Sequence, residues 1–186
     1  MPLPVQKQLA KLPKNYLILV LTPADGYLQA AIETVRHLVG SRNSVVYVSV
    51  NKPGAVVLEH LKRAGVRTDR VFFIDCATAS VSGESQRTMN TLFVSPQNLT
   101  GLSLAINELL SELPGSKAIV FDSLDTLAVY NPVQTLRKFS HFIANKIRIN
   151  NVGGMLLANG EADRNLITLM EEVCDETIRF KGGGRG

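Results

Sequence analysis

The sequence predicts an α/β protein of three layers, a mostly parallel, doubly wound sheet between two layers of helices. Three observations point there. Apolar runs such as Tyr16 to Leu21 (YLILVL) and Ala118 to Phe121 (AIVF) show no polar face, and a strand without a polar face is covered on both sides, as in parallel sheets. These runs alternate along the whole chain with longer segments whose apolar residues recur at helical spacing, the pattern of right-handed βα crossovers. Two of the runs also end in an acid, Asp75 and Asp122, at the strand ends where open α/β sheets hold ligands.

Taken in order, Pro4 to Lys14 reads as a short helix or arm with Val5, Leu9 and Leu12 on one stripe. Tyr16 to Leu21 is the first strand. Thr22-Pro23-Ala24-Asp25-Gly26 is a turn by its Pro and Gly content, and it leads into a helix carrying Leu28, Ala31, Ile32, Val35, Leu38 and Val39. Ser44 to Val50 is the second strand, and Pro53 sets the first turn of a helix that buries Val57, Leu58, Leu61 and Ala64 before Gly65 stops it. Arg70 to Cys76 is the third strand.

From Ala77 to Asn90 Ser, Thr, Gly and charged residues follow without period, which predicts a long loop. Thr91 to Ser95 is a short strand, and Leu99 to Leu113 is a helix closed by Pro114-Gly115. The strand ending in Asp122 is followed by a Ser-Leu-Asp-Thr turn, a short extended piece to Asn131, and a long helix from Val133 to about Asn150. Gly153 to Ala158 is a strand, Asp163 to Val173 a helix, and Thr177 to Phe180 a last strand.

The chain of 186 residues suits one domain over residues 1–180, with the glycine-rich tail 181–186 expected to be disordered. A hydrophobic fraction of 45% with 19% charged residues is ordinary for a folded soluble protein. No apolar run has the length of a membrane span and the N-terminus lacks the features of a signal peptide, so the expected address is the cytoplasm and no membrane contact is expected. Cys76 and Cys174 stand far apart without metal-ligand spacing and read as buried free thiols. The formal charge of +4 permits an anionic partner without specifying one.

The first strand-turn-helix has the context of a phosphate loop, G-x-x-x-x-G-K-[ST]. With Gly26 as the second glycine, Leu21 stands at the first, Tyr27 at the lysine and Leu28 at the hydroxyl. The lysine reaches the outer phosphates and the hydroxyl holds Mg²⁺, so their replacement favours a plain βα turn, and Asp25 adds a negative charge where an anion would sit. Asp122 fits either the acid that holds Mg²⁺ through water or a cap for the Ser123 to Thr126 turn. Asp75 carries the same ambiguity. His37, His60 and His141 fall on three different helices at positions that read as solvated. Ser82, Ser85 and Ser123 lack a nucleophile elbow. Arg137, Lys138, Lys146 and Arg148 give the long helix a basic side, read as solvated or as a contact to a DNA backbone.

Together these segments carry a family resemblance. KAIVFDSLDTLAVYN with the following TLRKFSHFIANKIR and GGMLLA, the stretch YVSVNKPGAVVLEHLKRAGVRTDRVFFIDC, and the ending CDETIRF resemble the KaiC-like branch of the RecA-fold ATPases, in particular its divergent archaeal members, over about Asn15 to Phe180. The resemblance implies the RecA/KaiC-like P-loop fold. Active members use ATP with Mg²⁺ and paired glutamates after the second strand. Carried over, the phosphate loop is Leu21 to Leu28 with Pro23 and Gly26 matching, the glutamates fall at Val50 and Asn51, and Asp122 matches the metal-positioning acid.

The expectation is therefore a noncatalytic, pseudo-ATPase domain with a degenerate loop, acting in regulation or signalling through a protein partner or self-association. Pro23, Asp25, Gly26, Tyr27, Asp122 and Ser123 would form a vestigial nucleotide site, with Asp122 as metal ligand only where Mg-nucleotide binds. No cofactor is expected. The alternatives are residual ATP binding or slow hydrolysis, and a DNA-binding accessory role of recombinase type.

Overall fold

The computed structural model of the chain describes residues 15–83 and 87–180. The expected arm at Pro4 to Lys14, the tail 181–186 and Ser85 lie outside the described residues. Among the described residues seven strands form one sheet: β1 (Leu17–Thr22), β2 (Ser44–Ser49), β3 (Val71–Asp75), β4 (Thr91–Phe93), β5 (Lys117–Asp122), β6 (Gly153–Asn159) and β7 (Glu176–Arg179). Their order across the sheet is β4-β3-β2-β5-β6-β1-β7, and every pairing is parallel. The four strands β1, β2, β5 and β6 are buried along nearly their whole length, which is why their sequences have no polar face.

The helices divide between the two faces according to the direction in which the chain crosses the sheet. From β1 the chain moves toward β4 through α1 (Tyr27–Gly40) and α2 (Gly54–Arg63). Their apolar residues Val35, Leu38, Val57 and Leu61 pack with Ile18, Val20, Val45, Tyr47 and Val120. Beyond β3 the short helix α3 (Cys76–Ser82) leads toward β4, and the return toward β7 uses α4 (Leu99–Glu112), then the short α5 (Leu124–Leu127) directly after β5 with α6 (Val133–Ile149), and last α7 (Arg164–Val173). Leu102, Ile106, Phe139, Ile143, Ile147 and Met170 form the opposite core with Leu19, Val46, Phe121 and Leu156. A right-twisted parallel sheet permits this two-sided arrangement only with right-handed crossovers.

Single residues show how tightly the layers close. Phe139 stands edge-on to Phe121 with ring centroids 6.1 Å apart, and burying one such side chain contributes about 2 kcal/mol. A Cβ on Gly154 would lie 2.6 Å from the Ile147 side chain and 2.7 Å from that of Leu17, so any larger residue there would push the ends of both side chains aside.

Two sequence expectations are corrected. The stretch expected as loop from Ala77 to Asn90 begins with α3, whose backbone is started by the Asp75 side chain accepting from the Thr78 N–H at 2.8 Å. Its seven residues bury only Cys76 and Ala79, too few to leave an apolar period. The Ser-Leu-Asp-Thr turn is the helical α5, which Ser123 caps at Thr126, and the piece expected as extended after it, to Asn131, continues as turns, the Val129 N–H donating to the Thr126 carbonyl and the Tyr130 N–H to that of Leu127, both at 3.1 Å.

Candidate functional site

The carboxyl ends of β1, β2, β5 and β6 meet around Asp122. Alternation along β5 sends Phe121 into the core under α6 and turns Asp122 toward the face that α1 covers. The residue is 3% exposed. Both of its carboxylate oxygens are occupied by phenols: the Tyr27 hydroxyl donates to Oδ1 at 2.7 Å and the Tyr47 hydroxyl donates to Oδ2. Its main-chain carbonyl accepts from the N–H groups of Val50 at 2.6 Å and Asn51 at 3.1 Å. The peptide bond from Asp122 to Ser123 is cis.

Each partner is placed by its own element. Tyr47 lies on β2, where Ser49 is the register partner of Asp122, so Tyr47 shares the α1 face two residues earlier in the strand. Its ring is fully buried, with the Phe73 ring 5.6 Å away. Tyr27 opens α1, and the turn before it is short: Ala24–Gly26 is one turn of 3-10 helix. Within it the Gly26 N–H donates to the Pro23 carbonyl at 3.0 Å and the Tyr27 N–H donates to that of Ala24. Gly26 has φ of −95°, so the freedom of glycine is not used there. Asp25 is exposed on this turn.

Ser123 is buried beside this cluster, its hydroxyl 2.8 Å from that of Thr126. Asp125 is half-buried, and its Oδ1 has no hydrogen-bond partner among the described residues. Burial raises the carboxyl pKa of Asp122 and of Asp125 above the ordinary aspartate value. For Asp122 the two tyrosine hydrogen bonds and the charge of Lys52 pull the other way. Burial, reinforced by the Asp122 charge, pushes Tyr27 and Tyr47 well above 10.0, so both phenols stay protonated donors at neutral pH.

Of the six residues expected at a vestigial site, Tyr27, Asp122 and Ser123 come together, Pro23 and Gly26 hold the turn that aims Tyr27, and Asp25 stays at the surface. Sequence reasoning missed Tyr47 and Lys52. Tyr47 had a signal: it stands in the middle of the apolar run Ser44 to Val50, and a buried tyrosine hydroxyl requires a partner. Val50 and Asn51 contribute only their N–H groups to the Asp122 carbonyl.

Asp75, the other acid at a strand end, is a structural cap. It accepts from the Gly54 N–H at 2.7 Å, the Thr78 N–H and the Thr78 hydroxyl. A Cβ on Gly54 would stand 3.2 Å from both the Asp75 carboxylate and the Phe73 ring, which explains glycine as the first residue of α2.

Among the described residues no group of three or more His, Cys, Asp or Glu could hold a metal ion. His141 is exposed as expected, whereas His37 and His60 are half-buried, and burial lowers the His37 pKa. Both cysteines are free, and burial pushes each thiol up to about 12. On the basic side of α6, Arg137 pairs with Glu172 and Arg148 with Asp175. No helix is long and apolar enough to cross a membrane among the described residues.

A seven-stranded parallel sheet, with an acid-ended β5 separated from β1 by the single strand β6, defines an α/β protein of RecA/KaiC type. Solved structures agree on this fold. A KaiC-like protein from the hyperthermophilic archaeon Pyrococcus horikoshii is similar with a TM-score of 0.64 at 13% identity, over 94% of this chain and 76% of that one. The flagellar accessory protein FlaH from Methanocaldococcus jannaschii gives 0.60 at 16% identity, over 94% and 76%. An uncharacterized Pyrococcus horikoshii protein in complex with an unknown peptide gives 0.67 at 15% identity, over 95% and 82%. No curated protein matches the chain in sequence. The chain belongs to DUF7504, a family of unknown function, whose profile matches residues 16–180.

Proposed function

We propose that this chain is a noncatalytic KaiC-like domain, a pseudo-ATPase with a degenerate phosphate loop, working as a regulatory or signalling module that binds a protein partner or a second copy of itself. The observation that carries the reading is the hydrogen bond from Tyr27 to Asp122. At the position where a phosphate loop has its lysine, this chain has a phenol bonded to the acid that would otherwise serve Mg²⁺.

The residues present do not fit a magnesium nucleotide. Both oxygens of the Asp122 carboxylate already accept from phenols, so a metal-bound water would have to share each oxygen with a tyrosine packed beside it. Leu28 brings no hydroxyl, and Gly26 and Tyr27 direct their N–H groups back into the 3-10 turn. An anion cradle needs those donors free. Val50 and Asn51 supply no carboxylate to polarise a water.

Protein contact is supported by exposed apolar side chains. Phe142 is 41% and Ile149 78% exposed, and seven residues apart on α6 they share one side of the helix. The ion pairs that occupy Arg137 and Arg148 weaken the competing DNA-binding reading.

The test is a thermal melt of the purified chain with and without ATP and Mg²⁺, together with a hydrolysis assay. A nucleotide bound at one hundred times its dissociation constant would add about 2.7 kcal/mol to folding stability; with the site closed by Tyr27, millimolar nucleotide is expected to leave the melt unchanged. Mg²⁺-dependent turnover that disappears in a folded Asp122→Asn variant would overturn the proposal.

A further inference from the structure

A second concavity lies at the opposite end of the sheet. In a parallel sheet the helix C-termini and the strand N-termini share one edge, and here the ends of α1 and α2 and the residues entering β2 and β3 enclose a cavity of about 500 Å³. Four arginines line it: Arg36 from α1, Arg42 from the turn before β2, and Arg67 and Arg70 from the segment before β3. Gly40 and Gly65 line it as well, and a Cβ built on either meets nothing within 4 Å. The wall at both helix ends is therefore bare backbone facing open space.

The charge is only partly neutralised. Arg36 pairs with Glu33 and donates to the Ala64 carbonyl at 2.8 Å, and Arg67 pairs with Asp69 at 3.3 Å. Arg70 donates to the Arg42 carbonyl at 3.0 Å, a bond that fixes its position without cancelling its charge. Neither Arg42 nor Arg70 forms an ion pair among the described residues. The two helix C-termini in the wall each carry a partial negative charge of about half an elementary charge, which offsets part but not all of the two full charges of Arg42 and Arg70. The Asp69 carboxyl beside Arg67 is drawn below its ordinary range by its hydrogen bond to Arg67, with the charges of Arg67 and Arg70 adding to it.

We propose that this arginine-lined cavity is a binding site for a small molecule carrying two or more phosphate groups. Guanidinium groups match phosphate oxygens in paired hydrogen bonds and keep their charge at every physiological pH. Several converging on one space suit a ligand with several oxyanions. The volume falls in the range of small-molecule sites, about 300–1,000 Å³. Apart from the four arginines and two glycines the lining is two valines, so the site has no aromatic platform on which a base would stack, and recognition rests on the phosphates. This site is independent of the Asp122 cluster and of its noncatalytic reading.

The probe is inorganic pyrophosphate, titrated calorimetrically into the full chain at low salt. Saturable one-to-one binding is expected, weakened at least about tenfold, equivalent to ~1.4 kcal/mol, by the double change Arg42→Ala with Arg70→Ala. Gly40→Glu, which keeps every arginine and adds a carboxylate in open space, is expected to weaken it similarly. Lys138→Ala on α6 is expected to leave it unchanged. Circular dichroism of each variant separates lost binding from lost fold. No binding at millimolar pyrophosphate, or equal binding by folded Arg42/Arg70 and Gly40 variants, would overturn the site. A single-stranded oligonucleotide that displaces pyrophosphate and binds more tightly at equal salt would overturn the small-molecule assignment in favour of a nucleic-acid backbone.

Discussion

Asp75 and Asp122 end β3 and β5, the two strands that flank β2, and in sequence they look alike: an apolar run closed by an acid. Their surroundings differ in kind. Asp75 accepts from donors close by in the chain, Thr78 three residues on and Gly54 twenty-one residues back, and most of these are backbone groups. Asp122 accepts from two side-chain hydroxyls 75 and 95 residues away. An acid held by backbone donors is a cap and starts a helix. An acid held by distant phenols depends on the packing of three elements, β2, β5 and α1, and its partners can be exchanged without breaking any main-chain bond.

The sharpest test of the contrast is Asp122→Ala. It leaves the buried Tyr47 hydroxyl and the half-buried Tyr27 hydroxyl without acceptor, and should lower the free energy of unfolding in urea by about 3 kcal/mol. The same cluster has a pH signature. Tyrosines of the unfolded chain titrate near 10.0, while Tyr27 and Tyr47 in the folded chain titrate well above it. Their contribution is thus fully present below pH 10 and is lost as pH rises from there toward the folded values. Tyr47→Phe should flatten that alkaline loss in denaturation curves taken as a function of pH. An unchanged slope would mean that Tyr47 is not held neutral by its burial.

Asp75→Ala is expected to cost less, about 2 kcal/mol, because Thr78 at the start of α3 is half-buried and its N–H and hydroxyl can turn to water, while the Gly54 N–H stays buried. If it costs more than Asp122→Ala, the backbone-held acid is the more important one and the contrast is reversed. Tyr27→Phe should cost about 1 kcal/mol, since the freed Oδ1 lies near the half-buried turn. The smallest effect is expected at Ser140, whose buried hydroxyl on α6 has no partner among the described residues. Ser140→Ala should be neutral or stabilising by roughly 0.5 kcal/mol in the same urea assay, showing that a buried polar group matters here through its partners.

Much of the fold was legible because its signals are local. Leu17 to Leu21 and Ala118 to Phe121 announce covered strands by their composition, and Leu136, Phe139, Ile143 and Ile147 announce a helix by their spacing. The short helices α3 and α5 escaped notice because each buries two residues, less than a period needs. At the candidate site, the positions of Tyr27 and Asp122 could be read against the phosphate-loop pattern one residue at a time, but nothing local links them to Tyr47. The arginines of the second cavity lie on separate segments from Arg36 to Arg70, so no stretch of sequence displays them together.

The sequence by itself determined the layered α/β class, the alternation of strands and helices, and the acids at two strand ends, because burial on both faces and helical periodicity are written into neighbouring residues. Only the tertiary structure decided that Asp122 faces two phenols and that four arginines surround one cavity. Those meetings depend on strand order and on which face each helix covers, and they join residues tens of positions apart that no local period connects.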